Sequence, residues 1–267
     1  MPNTYPHESA KLLGILAVHG QVADNKTTLF QSNSLVHHVT CPSLTRIVRS
    51  NILSAIANDS RIAASLLRLH FHDCFVNSKG PFWAVPLGRR DGTTANESEA
   101  NNLPSPFEPL ENITAKFVSK GLEKKDVAVL SGAHTFGFAQ CFLFKSRLFD
   151  FGGSGKPDPS LDSSLLQNLQ KICPNQADSN TNLAPLDPVT TNTFDNTYYK
   201  NVLSNTGLLQ SDQALLGDNI TSSLVNNYSK WPILFFRDFA VSVEKMGRIG
   251  VLTGQQGQIR TNCRAVN

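Results

Sequence analysis

Apolar positions along this chain recur at spacings of three and four, the period of helices that bury one face. Leu44, Ile47, Val48, Ile52, Ala55 and Ile56 form one such face, so Ser43 to Asn58 is predicted helical. Asp59 and Ser60 then supply a turn and a cap for the next helix. That helix runs from Arg61 to Asn77, RIAASLLRLHFHDCFVN, and buries Ile62, Ala63, Leu66, Leu67 and Leu69. Pro109 to Ser119 follows, ended by Gly121, and then a short helix, VAVLSG, capped by Asp126. The pattern predicts further helices over 138–149, 161–172, 194–204, 212–216 and 222–228. The last helix, Pro232 to Met246, turns Ile233, Phe236, Phe239, Ala240, Val243 and Met246 inward. NNLPSPF at 101–107, FGGSGKPDP at 151–159 and the polar stretch 174–193 read as loops. Strand alternation is almost absent and no repeat is visible, so the expected fold class is mainly α. Residues 1–40 have little periodicity and add little to the core.

Composition narrows the class. The chain has 267 residues, 40% hydrophobic and 17% charged, enough for one large globular domain or two small ones. A net charge of +3 without a Lys/Arg run is too weak to argue for a nucleic-acid surface. It leaves room for weak attraction to an anionic matrix such as a cell-wall polysaccharide. No apolar run is long enough to span a bilayer. Asn25, Asn96, Asn112, Asn219 and Asn227 each open an Asn-x-Ser/Thr triplet, which together point to the secretory pathway. Lys11 and the apolar run Leu12 to Val18 resemble a stunted signal-peptide core, but His19, Gln21 and Asp24 interrupt it without a clean cleavage site. The five cysteines are an odd count for a secreted protein.

Chemistry concentrates in the second helix. Arg68 and His72 are four apart and share a side of it, a permanent cation beside a group that titrates near neutral pH. By itself the pair reads equally well as a core histidine beside an arginine at a helix end. The whole string RLHFHDCFVN is more specific: it closely resembles the distal haem helix of the secretory (class III) plant peroxidases. Three motif groups follow in that family's order, RLHFHDC, LSGAHTFG (130–137) and Ser211-Asp212-Gln213, and the C-terminal GQQGQIRTNCRAVN agrees too. The resemblance covers about Cys41 to Asn267.

The resemblance implies a helical fold with haem b sandwiched between distal and proximal halves, and oxidation of phenolic donors by hydrogen peroxide. His134 becomes the axial haem ligand and Asp212 the carboxylate that fixes its ring. His72 becomes the general base and acid toward peroxide, and Arg68 stabilises the charge that develops as the O–O bond breaks. Phe71 shields the iron so that donors react at the haem edge, and Pro104 matches the family's donor-access proline. Arg61, Ser65 and Gln140 match propionate contacts. Small residues at Ser131, Gly132, Ala133 and Gly137 are expected to let a large flat group approach the backbone.

Thr135, Asp187, Thr190, Thr193 and Asp195 match the family's proximal calcium site. Asp73 and the Val76 carbonyl match part of the distal one. Cys141 and Cys173 match a family disulfide, whereas Cys41, Cys74 and Cys263 match cysteines whose partners are missing.

The pattern departs from the family in one place. From Asn77-Ser78 the chain passes directly to Gly80-Pro81-Phe82-Trp83 and then to Leu87-Gly88-Arg89-Arg90-Asp91. The family carries a calcium segment, two helices and two cysteine motifs between these points. The intact flanking motifs favour a skipped or mispredicted exon over a shortened paralogue. The domains expected are a divergent segment 1–40 and a peroxidase domain 41–267 lacking an internal piece after Asn77. With that piece go most distal calcium ligands and the asparagine that orients the distal histidine. The sequence therefore predicts a secreted, monomeric haem peroxidase that removes hydrogen peroxide under oxidative stress and couples cell-wall phenols. Its alternative is a haem-binding remnant without turnover, and a third reading is a matrix-binding glycoprotein. A Ser-His-Asp hydrolase is a remote reading, since the sequence has no Gly-x-Ser-x-Gly elbow.

Overall fold

The computed structural model describes residues 43–59, 62, 90–94, 103–262 and 265–267. It is mainly helical. In chain order the helices are α1 (Leu44–Asn58), α2 (Leu110–Ser119), α3 (Lys124–Ser131), α4 (Lys145–Phe149), α5 (Ser163–Ile172), α6 (Thr197–Leu203), α7 (Gln210–Ala214), α8 (Asn219–Lys230) and α9 (Pro232–Gly247). The strands β1 (Phe138–Gln140) and β2 (Leu183–Pro185) pair antiparallel, with Ala139 opposite Ala184.

Two apolar clusters organise these elements. The larger joins α1, α2, α3, α6, α8 and α9 through Val48, Ile52, Ile113, Val127, Val129, Tyr199, Val225, Tyr228, Phe235 and Phe239. Phe194, just before α6, stacks on Phe235 with ring centroids 5.6 Å apart. The smaller cluster packs β1, α4, α5 and β2 around Phe144, Leu148, Leu169 and Ala184. Cys141 and Cys173 form a disulfide inside it, with both residues fully buried.

Buried ionic contacts hold the helices in place. Asp126, at the third position of α3, accepts from the Glu123 backbone N–H at 2.8 Å. Its other oxygen accepts from Ser242 Oγ on α9 at 2.5 Å, and Lys245 Nζ lies 3.3 Å from the carboxylate. Arg147 of α4 is 1% exposed and donates to Asp158 at 2.8 Å and to the Gly207 and Leu208 carbonyls. That one guanidinium fastens α4 to two separate loops.

Asp91 forms a bridge with Gln258 through N–H···O bonds of 2.8 and 2.9 Å. Gly257, at φ +62°, lies where a Cβ would press on the Asp91 carbonyl. Asp91 and the Gly-Gln-Gln-Gly-Gln motif, far apart in sequence, thus meet at the backbone.

Several predicted elements differ. Residues 138–149 are not one helix: Gly137 at φ +116° turns the chain into β1, and only Lys145–Phe149 is α-helical. The loop 174–193 contains β2, because its Leu183–Pro185 segment hydrogen-bonds to β1. Helix α3 starts at Lys124, two residues before the expected cap, since Asp126 caps from inside the first turn. The inward face of α9 is rotated from that expected, with Phe235, Phe239, Ser242 and Val243 buried and Ile233 82% exposed. The tie from Ser242 to Asp126 sets that rotation. Ile47 of α1 is likewise 43% exposed, while Val48 and Ile52 face the core. Asp59 ends α1, its N–H donating to the Ala55 carbonyl.

Candidate haem site

The site is built on the junction after α3. The helix ends at Ser131 and passes into a 3-10 turn, Gly132–Thr135, that carries His134. Gly132 is the reason the turn can form there. A Cβ at this position would collide with the Tyr199 hydroxyl and come within 2.6 Å of the Phe235 ring. The flat groups that approach this glycine are therefore the chain's own aromatics, which corrects the expectation that it makes room for a ligand.

His134 lies edge-on to Tyr198, with ring centroids 6.0 Å apart. Its Nδ1 is 2.7 Å from Asp212 Oδ1. Asp212 is 1% exposed, in the first turn of α7, and its Oδ2 accepts from the Leu209 N–H at 2.9 Å. Tyr198 on α6 donates to the same Oδ1 at 3.1 Å. A buried carboxylate held by three donors cannot swing away, so it fixes the imidazole and leaves Nε2 as the free ring nitrogen. The His134 side chain keeps 33% of its surface open, in contrast to the closed environment of Asp212.

Burial disfavours a charged His134, but the Asp212 charge and hydrogen bond outweigh it and hold its pKa above the ordinary imidazole value. Burial, with the nearby Asp212 charge, keeps the Tyr198 phenol protonated well above the tyrosine range. An anchored imidazole with one nitrogen free and a carboxylate on the other is the arrangement used to hold a metal through Nε2. The residues present therefore fit an axial haem ligand.

The oxygen-rich group lies next to it in sequence and space. Thr135 is fully buried and its Oγ1 donates to Asp195 Oδ1 at 3.2 Å. Asp187, also fully buried, accepts from the Val189 and Thr190 N–H groups, from Thr190 Oγ1 at 3.1 Å and from Asn201 Nδ2 at 3.1 Å. Thr193 closes the turn by donating its N–H to the Thr190 carbonyl at 2.9 Å. Hydroxyl, carbonyl and two carboxylate groups in one polar loop are hard-oxygen donors of the type calcium takes. Among the described residues no three His, Cys, Asp or Glu gather in metal-binding geometry, consistent with a set that contains only two carboxylates.

Pro104 is exposed, and its loop is tied to the Asp212 segment because Ser211 N–H donates to the Pro106 carbonyl at 3.2 Å. Gln140 is exposed on β1, opposite Leu183. Arg61, Ser65, Arg68, Phe71, His72, Asp73, Val76 and the Asn77–Ser78 junction lie outside the described residues, as do Cys41, Cys74 and Cys263. Tyr198 and Asn201 were not singled out in sequence. Their only signal was a place on the buried face of a short helix, which reads as core.

A helical fold carrying a carboxylate-anchored histidine beside an oxygen-rich loop is one that known proteins share. Residues 76–230 match the peroxidase family model. Peroxidase 10 of Arabidopsis thaliana is 48% identical over 290 residues, covering 84% of this chain and 83% of that protein. Peroxidase N of Armoracia rusticana is 42% identical, covering 87% and 90%, and a lignin-forming anionic peroxidase of Nicotiana tabacum is 38% identical, covering 89% and 93%. The chain belongs to the peroxidase family, among the secretory plant enzymes, and is a haem peroxidase. The family uses haem and calcium, and hydrogen peroxide with a donor substrate.

Proposed function

We propose that this chain binds haem b through His134 and uses hydrogen peroxide to oxidise small phenolic donors outside the cell. The observation that carries this reading is the 2.7 Å contact between His134 Nδ1 and buried Asp212, which leaves Nε2 for the iron. When bound, the haem supplies the centre at which peroxide is cleaved and from which donors are oxidised one electron at a time. Asp212, hydrogen-bonded to Nδ1, gives the imidazole imidazolate character and makes it a stronger donor ligand.

His72 would act as general base and then acid, taking a proton from one peroxide oxygen and delivering it to the other. Arg68 stabilises the negative charge that develops between them. Phe71 restricts donors to the haem edge and Pro104 borders their entry. Arg61, Ser65 and Gln140 hold the propionates. Thr135, Asp187, Thr190, Thr193 and Asp195 hold the proximal calcium, which stiffens the segment carrying His134. Asp73 and Val76 form an incomplete distal site.

The catalytic domain is 41–267, preceded by a divergent segment 1–40. The comparison with Peroxidase 10 extends over 290 residues, more than the 267 in this chain, which supports an internal piece present in relatives and absent here. Without the orienting partner of His72, turnover is expected to be lower than in a full-length relative. Asn112, Asn219 and Asn227 are exposed, compatible with glycosylation and secretion to a cell wall or vacuole. Among the described residues no helix is long and apolar enough to cross a membrane. The protein acts as a monomer, with weak attraction to anionic polysaccharide.

The test is the absorption spectrum of the chain reconstituted with haem and calcium, before and after hydrogen peroxide. A high-spin ferric Soret band that shifts on peroxide and returns with a phenol is the expected result. A Soret band that peroxide leaves unaltered identifies a remnant without turnover, and a free-haem spectrum rejects haem binding. Transcript sequencing across the Asn77–Ser78 junction separates a gene-model error from a shortened enzyme.

A further inference from the structure

The chain contains four tyrosines, and three of them, Tyr198, Tyr199 and Tyr228, stand in one buried file. It begins at the proximal histidine, with the Tyr198 ring centroid 6.0 Å from that of His134. Tyr198 to Tyr199 is 5.0 Å and Tyr199 to Tyr228 is 5.1 Å, centroid to centroid. Phe235 flanks both inner rings, at 5.0 Å from Tyr199 and 5.9 Å from Tyr228. Phenylalanine is far harder to oxidise than tyrosine, so the aromatic path with accessible electrons is confined to the three phenols.

The hydroxyl partners divide them by role. Oxidising a neutral phenol makes it a strong acid, so a tyrosine yields an electron readily only where a base can take its proton. Tyr199 donates to the Ala128 carbonyl at 3.0 Å and lies 3.3 Å from that of Val129, and neither carbonyl is a base of any strength. Tyr228 donates to Asp238 Oδ2 at 2.8 Å. That carboxylate's side chain is 8% exposed and is held by Lys125 Nζ at 2.8 Å, on the same Oδ2, and by Arg237 Nη2 at 3.2 Å, on Oδ1. Tyr198 and Tyr228 thus each donate to a carboxylate, Asp212 Oδ1 at 3.1 Å and Asp238 Oδ2 at 2.8 Å; the shorter bond lies at the end of the file remote from His134, and Tyr199 lies between as a bridge.

We propose that Tyr198, Tyr199 and Tyr228 form an electron relay that moves one oxidising equivalent from the His134 side to Tyr228, where Asp238 receives the phenolic proton. The inference rests on the haem reading above. Hydrogen peroxide is the oxidant and removes two electrons in all. One of them leaves the Tyr228 ring through Tyr199 and Tyr198 while the proton crosses the existing hydrogen bond to Asp238, leaving a neutral tyrosyl. A phenolic donor returns the ring to tyrosine by giving one electron, and Asp238 gives the proton back; the proton that the donor loses on becoming a phenoxyl radical is one of the two that convert peroxide to two waters. The second electron owed to peroxide comes from a donor at the haem edge. The relay thus stores an equivalent inside the protein when donors are scarce.

The test is rapid-freeze electron paramagnetic resonance of the haem- and calcium-loaded chain mixed with hydrogen peroxide, made with ordinary and with ring-deuterated tyrosine. The expected result is a radical signal that deuteration narrows and that Tyr228→Phe removes while the Soret band is retained. Asp238→Asn, which leaves every ring in place, is expected to lower the tyrosyl yield and serves if the tyrosine variant does not fold. A Soret band that responds to peroxide, with a signal absent, insensitive to deuteration, or unchanged in both variants, overturns the relay alone. A chain that forms no Soret band overturns the haem reading, and the relay with it.

Discussion

Asp212 shows how much one side chain can decide. It accepts from His134, Tyr198 and the Leu209 backbone at once, in a place closed to water. Asp212→Asn would keep the shape and lose the charge, and partners of this kind contribute roughly 10–100-fold to metal affinity or activity. We expect a fall of that order in kcat/KM for peroxide, read by steady-state kinetics at saturating phenol, with the Soret band retained. Gly132 is the second decisive residue, because Tyr199 and Phe235 occupy the space of any side chain there. Gly132→Ala is expected to cost about 1–3 kcal/mol by overpacking, measured by urea unfolding. The pairing of Asp212 with His134 was legible in the Ser-Asp-Gln string by resemblance. The role of Gly132 was misread, since the sequence does not say which aromatic rings will be folded against it.

At the scale of elements, the Cys141–Cys173 bond and the Arg147–Asp158 pair hold the β1, α4 and α5 region together. The disulfide closes a loop of sequence separation 32. Removing it by Cys141→Ser with Cys173→Ser is expected to cost about 3–4 kcal/mol by the chain-entropy relation, seen as a lower denaturation midpoint. Burial opposes ionisation of Asp158, but its hydrogen bonds from Ser160 and the Arg147 charge prevail and hold its pKa below the ordinary carboxylate value. The stabilisation is therefore present above about pH 4, the unfolded value, and is lost as pH falls through the lower folded one. In Asp158→Asn that acid-dependent part of the stability is expected to be absent from the pH profile of the melting temperature. The helices of this region were legible from their spacing where they were long, as in α5. The three-residue strands were not, because a pairing that short leaves no alternation to read.

For the whole molecule, the loop 187–195 and the turn that carries His134 are one mechanical unit, since Thr135 bonds Asp195 and is the neighbour of His134. Ion binding at a hundredfold excess over the dissociation constant stabilises by about 2.7 kcal/mol. Chelation is thus expected to lower the melting temperature and loosen haem, and Asp187→Asn is expected to remove the response to chelator, as followed by calorimetry. Family membership, the helical class and the identity of His134 and Asp212 as partners could be read from the chain itself, because they reside in short strings whose order and residue types survive without coordinates. The contacts that hold those partners could not. Tyr198 on Asp212, Asn201 on Asp187, Ser242 on Asp126 and Tyr199 against Tyr228 each join residues on different elements of the chain. Such contacts depend on how helices are turned against one another, and helical spacing leaves that rotation open until Ser242 meets Asp126 and Tyr199 meets Gly132.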